Sequence, residues 1–179
     1  PSEPIVTLVI GFLTAPEYQI QALAGVSITT STVNASINSR LAGLKHLNRL
    51  ENVLAKQELS NLNLNSGQDY FESLLLDDNG FLVECVQSNI FWYKNNILYT
   101  PLLNRSGVQG SLRSKVLKLC PDNVNVGRYC LADLFAADEV FICNSLMSVV
   151  PVTFLHAKQS QRAFAVGKKT THLQCLINQ

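Results

Sequence analysis

The sequence is poor in charge, has no paired cysteine spacing and contains no apolar run long enough for a membrane. Charged residues make up 15% of the 179-residue chain, against about 25% in ordinary soluble proteins. The 14 Lys and Arg nearly cancel the 13 Asp and Glu, leaving +1. That balance gives no long-range field for nucleic acid or anionic lipid, so nucleic-acid binding is disfavoured. The longest apolar stretch, Pro4 to Leu13, is too short for a span of about 20 residues and follows Glu3 rather than a basic cluster, so no membrane segment or signal peptide is expected. Cys85, Cys120, Cys130, Cys143 and Cys175 are odd in number and show no CxxC spacing. They read as neither a disulfide framework nor a zinc site, no metal is expected, and a reducing cytoplasm fits.

Loud motifs are missing too. There is no GxxxxGK[ST] loop, no GxGxxG after a strand, no GxSxG elbow and no HExxH, which removes support for phosphate-loop, Rossmann, hydrolase and zincin chemistry. His46, His156 and His172 are scattered and suggest no triad. Methionine occurs only at Met147 and the chain opens on Pro1, so either an initiator was removed or something preceded it.

What is present is a 47% apolar chain, long enough for one domain with a real core. β-branched and aromatic runs predict strands at Thr7 to Leu13 and Val26 to Val33. Helical spacing of Leu47, Leu50, Val53 and Leu54 predicts a helix from Leu47 to Leu59. The runs Phe71 to Leu76, Phe81 to Val86, Asn89 to Tyr93 and Ile97 to Thr100, punctuated by Asp77-Asp78-Asn79-Gly80 and Asn95-Asn96, predict an antiparallel meander. Glycines at 107 and 110 lead into a helix over Ser111 to Leu119, stopped by Pro121. Strands at Val124 to Cys130, Val140 to Cys143 and Val149 to Phe154, a short helix at Leu131 to Ala136 and a last helix at Lys169 to Ile177 complete an α+β chain with no repeat or linker.

Three ordered segments carry a resemblance: LAGLKHLNRLE at 41–51, VECVQSNIFW at 83–92 and ADEVFICNSLM at 137–147. Together they resemble the class IV, fold type IV, pyridoxal-phosphate enzymes, and the likeness runs through essentially the whole chain. The KHLNR and ICNSLM stretches are most similar to the lyase branch, which converts 4-amino-4-deoxychorismate to 4-aminobenzoate and pyruvate for folate synthesis. The D-amino-acid and branched-chain aminotransferases of the same fold are the alternative, and an inactive isolated domain is a second.

The resemblance implies a fold type IV large domain: a mostly antiparallel β pseudo-barrel with surrounding helices, acting as a homodimer on a small-molecule substrate with pyridoxal 5'-phosphate. It implies that Lys45 holds the cofactor aldehyde covalently and shuttles protons, although a lysine at a helix start is by default solvated. Glu84, among apolar Leu82, Val83 and Val86, would keep the pyridine nitrogen protonated; an outward-facing carboxylate is the bland reading. The backbone N–H groups of Ser111 and Leu112 would face the phosphate at a helix start, and Ser145 matches a phosphate-binding hydroxyl in the related aminotransferases. Arg49 and Asn144 are the substrate-side candidates. Arg49, expected one helical turn after Lys45 on a comparable face, could approach the cofactor's phenolate oxygen or a substrate carboxylate, or pair with Glu51 or Glu58. The family's small N-terminal domain has no counterpart in residues 1–179, so Pro1 looks like a truncation or cleavage point and the chain alone is expected to be catalytically silent.

Overall fold

The computed structural model describes residues 18–158 and 160–177; the strand expected at Thr7 to Leu13 lies outside them. The elements are α1 (Gln19–Ala24), β1 (Val26–Thr30), α2 (Leu50–Ser66), β2 (Glu72–Leu76), β3 (Leu82–Cys85), β4 (Asn89–Lys94), β5 (Ile97–Pro101), α3 (Ser111–Leu119), β6 (Val124–Gly127), α4 (Leu131–Phe135), β7 (Glu139–Asn144), β8 (Ser148–Ala157), β9 (Ser160–Ala163) and α5 (Lys168–Ile177).

Local chemistry closes the β2–β3 and β4–β5 hairpins. Asp77 Oδ1 accepts from the backbone N–H groups of Asn79 and Phe81 between β2 and β3. Asn95 and Asn96 both take positive φ between β4 and β5, the geometry that matches strand twist in a two-residue turn. The strands nevertheless do not run on as one meander. Their order in the sheet is β3-β2-β1-β8-β7-β4-β5-β6, with β9 on β8. β1 lies parallel to both β2 and β8, and β5 parallel to β6, while the remaining pairs are antiparallel.

That order forces curvature. β3 and β4 are joined through only Val86, Gln87 and Ser88, so Cys85 and Asn89 can be at most about 14 Å apart. On a flat sheet the five interstrand spacings between them would add up to about 24 Å. The sheet therefore curls into a mixed half-barrel, and the β3–β4 turn bridges its open side. Cys85 N–H donates to Ser88 O at 2.8 Å within this turn.

Both faces of β4 are buried, which explains its unbroken apolar run. Ile90 and Trp92 join Ile28, Leu74, Ile142 and Leu155 in one cluster. Phe91 joins Phe141, Val116 and Leu173 in another, beneath α3 and α5. Phe91 stacks on Phe141 with ring centroids 5.1 Å apart.

Several expectations need correction: β1 stops at Thr30 rather than Val33, β6 stops at Gly127 rather than Cys130, and α2 runs on to Ser66 rather than Leu59. The helix expected from Leu47 begins at Leu50, because the preceding segment pairs with a distant loop. Its apolar positions Leu47, Leu50, Val53 and Leu54 are exposed, and Ala55 and Leu59 are the residues it buries. α1 and β9 had not been expected: one is a six-residue helix and the other a short, mostly exposed strand, SQRA. Among the described residues no helix is long and apolar enough to cross a membrane.

Candidate active site

The open side of the half-barrel holds a cleft of about 720 Å³, lined by the 45–49 segment, the first turns of α2, the β3–β4 turn, the start of α3 and the β7–β8 turn. Lys45, Arg49, Glu84, Ser111, Leu112, Asn144 and Ser145 all line it, so the structure gathers every expected site residue into one cavity.

Lys45 sits on a non-helical segment. Gly43 N–H donates to Gly107 O at 2.8 Å, and Gln109 N–H donates to Gly43 O at 3.0 Å. These bonds stitch the lysine segment to the loop before α3, so the element expected to hold the amine and the one expected to hold an anion move as one piece. They also correct the helical relation expected between Lys45 and Arg49: Arg49 is the N-cap of α2, with φ −125°, and Lys45 lies outside any helix.

Arg49 makes the central contact of the cleft. Its Nη2 lies 2.5 Å from Glu84 Oε1, and its Nε donates to Asn52 Oδ1 at 2.9 Å. Glu51 is a more distant partner at 3.9 Å, while Glu58 instead accepts from Ser31 and Thr32. Glu84 is only 4% exposed. Its second oxygen accepts from Val108 N–H at 2.9 Å and, more weakly, from Asn89 Nδ2 at 3.4 Å. Burial pushes the Glu84 carboxyl up, and the Val108 N–H and the Arg49 guanidinium pull it back. The chain reaches Glu84 this closely because Gly107 takes φ +80°; a Cβ there would meet Leu103 and Val83 at under 3 Å.

The N-terminus of α3 has no side-chain cap, so its leading N–H groups, on Ser111 and Leu112, are available to an anion. Arg113 strengthens that reading. It is 5% exposed, donates through Nη2 to Pro101 O at 2.9 Å, and leaves Nε buried without a partner. A cation in the first turn stands at the positive end of the helix dipole, where it is disfavoured. Burial lowers its proton affinity further. An anion at this helix start offsets both costs, and so a phosphate group fits the residues present.

Asn144 is held by the backbone: Nδ2 donates to Gln87 O at 3.0 Å, and Oδ1 accepts from the N–H groups of Leu146 and Met147 at 2.9 Å each. It shapes the cleft wall beside Ser145, which is exposed at the rim. Asn52, Asn89 and Arg113 were not singled out from sequence, since each has a partner on another element, Val86, Gly110 and Pro101 respectively, that no local pattern marks.

A comparison with known families decides what this cleft belongs to, for Amino-transferase class IV matches residues 1–155. The chain belongs to this class IV family. It is 35% identical over 178 residues to an aminodeoxychorismate lyase of Vibrio harveyi, covering 98% of this chain and 63% of that protein. It is 34% identical over 137 residues to a D-alanine aminotransferase of Bacillus licheniformis, covering 75% of this chain and 46% of the relative. The fold superposes on a crystal structure of 4-amino-4-deoxychorismate lyase from Pseudomonas aeruginosa with a TM-score of 0.79 and 32% identity, covering 89% of this chain and 57% of that one. The class IV chain described here thus spans about 60% of the length of the lyases it resembles.

Proposed function

We propose that this chain forms the cofactor-holding part of a pyridoxal-phosphate-dependent lyase that converts 4-amino-4-deoxychorismate to 4-aminobenzoate and pyruvate in folate biosynthesis. The observation that carries the reading is the convergence, in one cleft, of Lys45, the buried Arg49–Glu84 pair and an uncapped helix start backed by Arg113. The likeness over 98% of the chain to a lyase favours that branch.

When bound, pyridoxal phosphate supplies an electron sink for the reacting carbon. Lys45 is the amine that holds its aldehyde and, once displaced, takes the proton from the substrate carbon that bears nitrogen. Glu84 keeps the proton on the pyridine nitrogen. Arg49 keeps Glu84 ionised, a role its geometry supports better than contact with the phenolate oxygen or a substrate carboxylate. Ser111 and Leu112 donate their N–H groups to the phosphate, with the Ser145 hydroxyl as a further donor at the rim. Asn144 holds the wall against which the substrate packs. Loss of the enolpyruvyl group makes the substrate ring aromatic, so the protein's task is chiefly orientation and proton transfer.

Residues 1–179 correspond in this reading to the larger of the family's two domains, and the complete enzyme works as a homodimer in the cytoplasm. The exposed Leu44, Leu47, Leu50 and Val53 beside the cleft support a covered face, and five free cysteines suit a reducing compartment. The likeness to a D-alanine aminotransferase makes amino transfer the competing reading. Incubating the complete protein with aminodeoxychorismate, and separately with D-alanine and a 2-oxo acid, decides between them. Fluorescent 4-aminobenzoate with little amino exchange is expected; efficient exchange with no aromatic product overturns the lyase assignment.

A further inference from the structure

The carboxylate and the uncapped helix start that together define the cofactor site are separate pieces of structure, β3 and α3, with nothing in the local sequence to hold them in register. Besides the direct bond from Val108 N–H to Glu84, one further side chain joins them. Asn89, the first residue of β4, is 6% exposed. Its Nδ2 donates to Val108 O at 2.8 Å and reaches Glu84 Oε2 at 3.4 Å. Its Oδ1 accepts from Gly110 N–H, the N-cap of α3, at 3.2 Å. Glu84 Oε2 in turn accepts from Val108 N–H, which closes a ring of hydrogen bonds from the carboxylate through the loop to the helix start. Asn89 itself is anchored by strand pairing, since β4 sets it opposite Cys143 of β7.

Two observations show that this contact is built rather than incidental. Both amide donors and the acceptor of Asn89 are engaged, although it is nearly buried. A Cβ at Gly110 would run into Asn89 Oδ1, although the φ −61° and ψ 149° of Gly110 suit any residue. The lack of a side chain at position 110 is therefore demanded by the approach of Asn89 and not by the backbone.

We propose that Asn89 is a positioning residue that sets the separation between the Glu84 carboxylate and the anion-binding N–H groups of Ser111 and Leu112. The inference rests on the cofactor assignment above. A ligand that uses both anchors at once, a pyridine ring with a phosphate arm, gains from a fixed separation because the ordering cost has been met before binding. A ligand that uses only one anchor gains nothing from it.

Asn89→Ala and Asn89→Leu in the complete apo protein, titrated separately with pyridoxal phosphate and with inorganic phosphate, test this. Asn89→Leu is nearly isosteric and neutral, so it removes the bonds to Val108, Glu84 and Gly110 without placing a new charge beside the anion site. It therefore remains informative if the alanine variant folds poorly. Pyridoxal phosphate affinity is expected to fall at least about tenfold in either folded variant, with inorganic phosphate affinity within about twofold of wild type and an unchanged circular dichroism spectrum. Equal loss of both ligands, or no loss of either, in the folded leucine variant overturns the positioning role. Failure of the wild-type protein to take up pyridoxal phosphate overturns the cofactor assignment and this inference with it, whereas wild-type uptake with unaltered variants sinks the inference alone.

Discussion

Arg49 and Glu84, 35 positions apart in sequence, meet at 2.5 Å on the wall of the cleft, and Glu84 is almost entirely removed from water. A buried carboxylate needs such a partner, because losing one member of a buried pair strands the other charge at a cost of about 3–5 kcal/mol. In Arg49→Met, burial then acts on Glu84 without the guanidinium, so its carboxyl ionises only at higher pH. The acid limb of the pH profile of kcat/KM is expected to move upward, with turnover falling about tenfold for each unit the limb moves at pH values below it. Arg49→Lys, which restores a cation, is expected to return the limb toward wild type. An unmoved limb in the methionine variant would show that Arg49 does not set the ionisation of Glu84.

Glu84→Gln separates charge from shape. The amide oxygen can still accept from Val108 N–H, so the loop before α3 stays in place and cofactor uptake persists. What is lost is the negative charge that, in the proposed function, faces the pyridine nitrogen. Turnover is expected to drop on the order of 10²-fold or more, read in a steady-state assay alongside the absorbance of the bound cofactor. Undiminished turnover would reduce Glu84 to a structural carboxylate.

Two lysines line the cleft, which makes the covalent assignment a real choice. Lys56 donates to Gln87 Oε1 at 3.3 Å from α2. Lys45 stands on the segment stitched to the loop before α3. Borohydride reduction of the complete holoprotein followed by peptide mapping is expected to place the pyridoxyl group on Lys45. A group found on Lys56 sends the site assignment back to α2.

The parts of the fold that local chemistry controls could be read in advance. Asn95-Asn96 closes its hairpin, and α3 starts at Ser111 after Gly110 and ends at Leu119, two residues before Pro121. Strand order could not be read, because β3 and β4 look like neighbours in sequence yet sit five places apart in the sheet. Helix α2 starts late for a related reason: Gly43 is held by Gly107 and Gln109, more than 60 positions away, and no local periodicity carries that bond. The candidate site residues that line the cleft were named through the family resemblance, while the Arg49–Glu84 pairing and the Asn89 bridge required the folded chain.

Glu72 offers a test that bears on stability alone. It lies on β2, 2% exposed, and accepts a hydrogen bond from Gln87 N–H at 3.3 Å. Burial pushes its carboxyl up from 4.5 to about 7, against the partial relief given by the Gln87 N–H and the ammonium of Lys56 and with some repulsion from Glu84. Between those two pH values the folded protein retains a proton that the unfolded chain has released, so stability falls as pH rises through the window and levels off above about 7. Glu72→Gln removes that dependence while its amide oxygen still accepts from Gln87. The variant is expected to match wild type near pH 4.5 and to exceed it increasingly toward pH 8. The gain is bounded by about 3 kcal/mol at ~1.4 kcal/mol per pH unit. Glu84 carries a shift of the same sign and is present in both proteins, so it cancels in the difference except for its repulsion with Glu72, whose removal acts in the same direction. Urea unfolding of the two proteins at pH 5, 6, 7 and 8 measures this directly. Stability curves that stay parallel across the range would mean that Glu72 is ionised in the folded protein throughout, with a charge compensation stronger than Lys56 and the backbone N–H groups of Gln87 and Val86 provide.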